Sequence, residues 1–496
     1  MKVLLVYPEY PETFWSFKHA LRFIKKQSNL PPLGILTVAA LLPDSWDLKL
    51  VDMNVEKLCD KDIKRSDLVM ISAMNIQQKS VREVMNRCRE LGIKTACGGP
   101  LFSTEPEKYD DADYLLLYEG EDCIPLFARD LEAGQARHIY AIKNYPDIRK
   151  TPIPRWDLLK KDAYAMLSIQ FSRGCPFHCE FCNIVSLFGH MPRTKSLPQV
   201  IGELEAIYSF GWRGGIFFVD DNFIGNKKLL KETILPGIIT WMKEHDYPFT
   251  FFTEVSINLS DDEELMNLMA EAGFDNVFIG IESVDEDCLD ECDKVQNEKR
   301  DLLESVRTIQ EHGMQVQGGF ILGFDSDKLS IFKKMSEFIQ KSGIVTAMVG
   351  LLTAPPGTRL YDRMKKEGRL SSEFTGLNTD TNTNIIPKMD RRLLYKGYTR
   401  VVHSIYAPRH YYRRVRTFLE HYQPRGLHKS RLTARELGAF FKACFLLGIK
   451  DPGRRYYWRL LTWAARQREK PGIFSRAVAF SIYGYHFRKC LPEEIM

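Results

Sequence analysis

Cys175, Cys179 and Cys182 fall within eight residues, in the order Cys175-Pro-Phe-His-Cys179-Glu-Phe-Cys182. Three thiolates at a C-x3-C-x2-C spacing can wrap one iron–sulfur cluster. A closed zinc site usually takes four protein ligands, in separated pairs. Three ligands leave one iron of a cluster open, and an open iron can bind a small molecule. The alternative is a zinc site completed by a remote fourth ligand such as His178. The motif directly follows a predicted strand, Ser168-Ile-Gln-Phe-Ser172, and an Arg173-Gly174 turn. That context favours the cluster.

Further candidates sit at the ends of later apolar runs: Asp220-Asp221-Asn222 after Phe217-Phe218-Val219, then Thr253-Glu254, then Gly280-Ile281-Glu282-Ser283. Carboxylates there can bind a cationic or hydroxyl-bearing ligand. A single Asp at a strand end is more often a helix cap. Recurrence at successive ends singles out Asp220, Asp221, Glu254 and Glu282 as binding residues. Gly319-Phe-Ile-Leu-Gly323 allows close backbone approach. Pro355-Pro-Gly-Thr-Arg-Leu-Tyr361 predicts a rigid turn opening a helix. A second set ends strands near the N-terminus: Asp52, Ser72, Gly98-Gly99-Pro100 and Glu119-Gly120-Glu121.

The elements that must position these residues form two alternating blocks. Val3–Tyr7, Leu48–Asp52, Leu68–Ser72, Lys94–Cys97 and Tyr114–Tyr118 are predicted buried strands, with helical periodicity between them, as in Val81–Leu91. This is the pattern of an open parallel sheet, which binds ligands beyond its strands' carboxyl ends. The Pro-rich stretch 146–160 is expected to link the blocks. The second block has six predicted strands, Leu167–Phe171, Gly215–Val219, Phe249–Glu254, Asn276–Ile281, Gln315–Leu322 and Thr346–Leu352, alternating with helices such as Val200–Phe210, Glu264–Ala272 and Lys299–His312. Six βα units make most of a TIM barrel, whose chemistry sits at the strand C-termini. The fold class is α/β: a Rossmann-like domain over 1–145, a partial (βα)6 barrel over 161–385, and a helical C-terminal domain over 386–496.

Composition is that of a globular protein, with 44% hydrophobic and 27% charged residues. The formal charge of +5 is unevenly spread: residues 401–496 hold 19 Lys/Arg against 6 Asp/Glu. This tail is also aromatic, most densely at Tyr406-Ala-Pro-Arg-His-Tyr-Tyr-Arg-Arg414. It suits a basic helical cap, a membrane-surface helix, or stacking on nucleic acid; no RNA-binding module accompanies it, so no nucleic acid is expected. The apolar stretch Leu437–Ile449 is too short to span a bilayer. The opening residues read as a strand, not an export signal, so the eleven cysteines are expected in a reducing cytoplasm, where clustering points to metal chemistry.

On the three cysteines and the strand ends after them, the chain resembles the radical S-adenosylmethionine (SAM) superfamily. The resemblance implies a [4Fe–4S] cluster on Cys175, Cys179 and Cys182, SAM cleavage to a 5′-deoxyadenosyl radical, a reductant such as flavodoxin or ferredoxin, and Phe181 packed near the adenine. Pro31-Pro-Leu-Gly34, Asp52, Ser72, Gly98-Gly99-Pro100 and Glu121 resemble the pattern of its cobalamin-binding members. Glu119 departs, standing where Gly is usual. The D-x-H-x-x-G sequence of classical corrinoid proteins is absent, which implies that no histidine from that motif ligates the corrin's lower face. With the C-terminal extension included, the chain is similar to the group of hopanoid C-2 methylases, bacteriochlorophyllide side-chain methyltransferases and archaeal lipid ring synthases. This implies C-methylation of a large hydrophobic substrate, with peripheral membrane contact as a further expectation. Ring or C–C bond formation without methyl transfer, a non-catalytic corrinoid or iron–sulfur protein, and tRNA modification remain alternatives.

Overall fold

The chain, seen in a computed structural model, is described for residues 1–496 except 143, 378, 380–382, 424–432, 468, 471 and 492–496. Parts of the basic tail therefore lie outside the described residues.

Strands β1 (Lys2–Tyr7), β2 (Asp47–Asp52), β3 (Leu68–Ser72), β4 (Thr95–Gly98), β5 (Tyr114–Leu117) and β6 (Ile139–Ala141) form one parallel sheet in the order β2-β1-β3-β4-β5-β6. Leu-Val-Met-Ile of β3 and Tyr-Leu-Leu-Leu of β5 are buried throughout because helices cover both faces. The order reverses at β1, and such a switch point opens a crevice at the carboxyl ends. β6 was not expected: only three residues long, with both outer ones exposed, it carries no apolar run.

Segment 146–160 does more than connect. Ile148, Trp156 and Leu159 are buried, and just beyond it Ser28 bridges to Tyr164. The Tyr164 hydroxyl donates to Asp52 Oδ2 at 2.9 Å. The strap thus seats the first sheet on the second.

The second sheet begins with β7 (Leu167–Ile169). A two-stranded hairpin follows, β8 (Ser172–Arg173) against β9 (Arg193–Thr194). Then come β10 (Gly214–Phe218), β11 (Phe249–Glu254), β12 (Phe274–Glu282), β13 (Gln315–Leu322) and β14 (Ala347–Leu351). The six long-sheet strands pair in sequence order, all parallel, from β7 to β14. Among the described residues β14 and β7 do not pair, so the barrel is partial, as the pattern implied.

Helices Arg391–Tyr406, Pro408–His421, Ala434–Phe445, Arg454–Ala464 and Ile473–Lys489 make up the C-terminal region. The aromatic–basic run at 406–414 turns inward. Tyr406, Tyr411, Tyr412 and Arg414 are buried, and Arg414 donates to the Ile405 carbonyl at 2.7 Å with the Tyr406 and Tyr411 rings against its guanidinium. That leaves no stacking platform for bases, so of the three uses open to this run the helical cap fits.

Candidate active site

The cysteine loop is held at four places. The β8–β9 hairpin closes its base. Gly174 has φ +95°, and a Cβ there would lie 2.8 Å from the Gly189 carbonyl oxygen, so only glycine fits this turn. Glu180 pairs through both oxygens with Arg363, at 2.7 and 2.8 Å. Arg363 is carried by helix Arg359–Lys366, which opens at the Pro-Gly-Thr turn with the Thr358 hydroxyl accepting from Tyr361 N. The Glu180 backbone adds two bonds, its N–H to the Cys292 carbonyl and its carbonyl from the Leu360 N–H, both at 3.0 Å. The turn predicted only as a helix start is thus part of the loop's clamp.

All three thiols are partly exposed at the loop. Burial pushes Cys182 up to about 12 and Cys175 above the usual thiol range. Only a strong local positive charge would make such groups thiolates, as an iron centre does. Gln296 points its side-chain amide at Cys179 Sγ, 3.8 Å away. Phe181 packs toward Phe324, with the Lys294 ammonium 5.9 Å from its ring centre.

The strand-end carboxylates divide by role. Asp220 is buried and accepts from Phe171 N at 3.1 Å and from the Ser172 N–H and hydroxyl. It ties the end of β7 to the hairpin, close to the capping role that a lone Asp suggested. Asp221 accepts from Gly174 N at 3.2 Å. Burial raises Asp220 to about 7, Asp221 to about 6 and Glu254 to about 8, the last helped by the two aspartates facing it. All three line one cavity. Glu282 is not on that wall. It sits at φ +61° and pairs with the mostly covered Lys294 at 2.8 Å. A Cβ on Gly280 would strike both partners, so the glycine makes room for the pair. Lys294 lies beside Cys179 and Cys182, whose negative charge when ionised would favour the ammonium. Sequence reasoning missed Lys294; the Gly-x-Glu spacing at 280–282 was the available signal.

The cavity has a volume of about 850 Å³ and is bounded by the carboxyl ends of both sheets. Ser72, Gly98, Gly99 and Glu121 line it from the first sheet, Asn183 and Ile184 from the cysteine loop, and Asp221 and Glu254 from the barrel. Gly99 has φ +97° and would put a Cβ 2.9 Å from the Ala73 carbonyl oxygen; a Cβ on Gly98 would be 2.8 Å from that of Leu116. Glycine at both places thus lets the backbone pack closely at this sheet edge, and both residues line the cavity. Asp52 does not reach this wall: its carboxylate is spent on Asn54 and Tyr164. Tyr10, Trp15 and Phe374 were not foreseen as lining residues, because Tyr10 and Phe374 lie between elements and Trp15 in a single short 3-10 turn.

Between the halves runs a buried ion-pair network. Arg173 holds Glu119 and Glu121, at 2.5 and 2.8 Å, and Arg193 also holds Glu119, at 2.5 Å. The Thr151 hydroxyl donates to Glu121 at 2.7 Å. The Arg173 guanidinium keeps the Glu121 carboxyl below its usual range. Glu119 is thus the central anion of this network.

Barrel, three-cysteine loop and apposed Rossmann-like sheet together define a radical SAM enzyme with a corrinoid-type module. The profile of the radical SAM superfamily matches residues 169–339, that of a B12 binding domain residues 22–128, and that of a domain of unknown function (DUF4070) residues 358–495. An uncharacterized methyltransferase of Synechocystis sp. is 39% identical over all of this chain and 93% of its own length. The hopanoid C-2 methylase of Rhodopseudomonas palustris is 34% identical over 79% of this chain and 74% of its own. The cobalamin-dependent SAM radical enzyme OxsB, solved with aqua-cobalamin, has the same fold at a TM-score of 0.60, with 16% identity over 98% of this chain and 80% of that one. The chain belongs to the radical SAM methyltransferases that carry an N-terminal cobalamin-binding domain. Its cofactors are SAM, a [4Fe–4S] cluster and cobalamin.

Proposed function

We propose that this enzyme methylates an unactivated carbon of a large hydrophobic polycyclic substrate, hopanoid-like or tetrapyrrole. The observation that carries the reading is one cavity lined by the glycine edge of the first sheet and, on the barrel side, by Arg173, Asn183 and Ile184, which flank the three cysteines; the thiols themselves stand behind that wall. One space serving both leaves little distance for a methyl group to travel. The hopanoid methylase similarity supports the substrate class.

The bound cofactors supply the radical and the methyl group, and the chain's residues arrange them. Cys175, Cys179 and Cys182 hold the cluster. Phe181 offers the adenine an aromatic face, and Asp221 and Glu254 offer anionic partners to cationic SAM. Asp220 orients the loop through Ser172, and Glu282 fixes Lys294 near the thiolates. Ser72, Gly98 and Gly99 receive the corrin, while Glu121 holds the cysteine loop through Arg173. Asp52 stands behind that site, holding Asn54, whose side-chain oxygen accepts from the N–H of the lining residue Tyr10. The remaining apolar lining excludes water from the radical. A one-electron reductant of the flavodoxin or ferredoxin class completes the system.

Incubation of the reconstituted protein with methyl-labelled SAM and a hopanoid or tetrapyrrole acceptor tests the reading. Label in the acceptor, together with 5′-deoxyadenosine, supports it. 5′-Deoxyadenosine with an altered but unlabelled acceptor would instead identify ring or C–C bond formation.

A further inference from the structure

Helix Ala434–Phe445 and the wider turn Leu446–Lys450 leave an apolar face open. Leu437, Phe441, Phe445 and Ile449 are 49%, 63%, 49% and 61% exposed, each four residues after the last, which stacks them on one face. The opposite face is spent in the core through Ala439, Ala443 and Leu447. The patch widens at both ends. Phe440 touches both Phe441 and Phe474, with ring centres 5.8 Å apart in each case, and Phe474 is 39% exposed. Trp458, 42% exposed, donates its indole N–H to the Gly448 carbonyl beside Ile449. A contiguous apolar surface of this kind is unusual on a water-facing helix and marks a docking site.

Charge identifies the occupant. Between residues 434 and 466 there are seven Lys/Arg and two Asp/Glu. Both acids are engaged locally: the Glu436 carboxylate accepts from the Thr433 N–H and hydroxyl, and Asp451 pairs with Arg488. Lys450 lies 4.7 Å from the Phe445 ring centre, at the border of the stripe. Arg454, Arg455 and Arg459 are exposed on the next helix. Large apolar side chains rimmed by cations are the composition of a helix that lies in the interface of an anionic bilayer. Among the described residues no helix is long and apolar enough to cross a membrane, so contact would be from one side.

The stripe is also tied to the cavity wall. Lys442 donates to the Arg22 carbonyl at 2.9 Å, and in helix Ile473–Lys489 His486 bonds to the Phe14 carbonyl at 2.9 Å. Phe14 and its neighbours Thr13 and Trp15 line the cavity.

We propose that this face docks the enzyme on an anionic lipid surface, where a hydrophobic substrate can be taken up. The substrate part rests on the function proposed above; the docking part does not. The test is co-sedimentation of the full-length holoenzyme with vesicles of phosphatidylcholine alone and of phosphatidylcholine with phosphatidylglycerol, without acceptor. Wild type is expected to bind the anionic vesicles, and more weakly as salt rises. Phe441→Ser/Phe445→Ser should bind about tenfold or more weakly, with unchanged cluster content and unchanged SAM cleavage in solution. Docking is overturned if wild type ignores both vesicles or the double variant binds as well. Equal binding to neutral vesicles would overturn the anionic assignment. A wild-type dimer that the double variant dissolves, with no vesicle binding, would reassign the stripe to a second copy of the chain. None of these outcomes alters the label-transfer test of the reaction.

Discussion

Single residues here do separable jobs, which makes their substitutions diagnostic. Cys179→Ala removes one of three cluster ligands but touches nothing in the first sheet. It should abolish iron–sulfur absorbance and 5′-deoxyadenosine formation while cobalamin still binds. Gly99→Ala acts the other way. Its φ of +97° with ψ near 180° and the nearby Ala73 carbonyl make any Cβ strained, at a cost of about 1–3 kcal/mol. Cobalamin affinity should fall about tenfold or more by titration, with iron content unchanged. The carboxylates give a pH signature. Asp220, Asp221 and Glu254 are raised to between about 6 and about 8 in the folded chain. They therefore hold more protons folded than unfolded above about pH 4, and stability falls as pH rises through that window. The cofactor-free protein should melt at lower temperature at pH 8 than at pH 6. Cationic SAM favours the ionised carboxylates, so its affinity should rise over the same interval, measured by calorimetry. A flat melting profile would remove the three groups from this account.

At the scale of elements, much was legible because parallel strands buried on both faces must be apolar runs. All eleven predicted strands exist, with ends moved by a few residues. Three short strands were not expected: β8 and β9 have two residues each, and β6 has only Tyr140 buried, and alternation over so few residues carries no signal. The cysteine loop was legible from spacing alone. Its supports were not: Arg173 and Arg193 are twenty positions apart and face one another only because the β8–β9 hairpin pairs them. Lys294 and Arg363 read as ordinary surface cations in sequence, since only tertiary contact reveals a carboxylate opposite. Asp52 shows the converse, a strand-end residue used by the strap instead of the cavity. The clamp predicts its own test. Arg363→Met leaves Glu180 without its bidentate partner and should loosen the loop, seen as faster loss of cluster iron to a chelator, with the fold retained by circular dichroism.

At the scale of the whole molecule, the two sheets share a cavity and the C-terminal helices brace its rim. Glu119 is where the halves are joined most firmly. Glu119→Ala takes from Arg193 its carboxylate partner and from Arg173 one of its two, in a setting that is largely buried. Breaking such a pair costs about 3–5 kcal/mol, so the urea midpoint should drop, and Glu119→Gln should recover part of the loss through its remaining hydrogen bonds. The same junction bears on how this chain can be rebuilt. Two arginines from the barrel enclose one glutamate from the corrinoid module, so neither half is a self-sufficient cassette. Grafting a first sheet with glycine at that place would leave Arg193 without this carboxylate and Arg173 with one of its two. Recombination between such enzymes should succeed only when the breakpoints carry the glutamate and both arginines together.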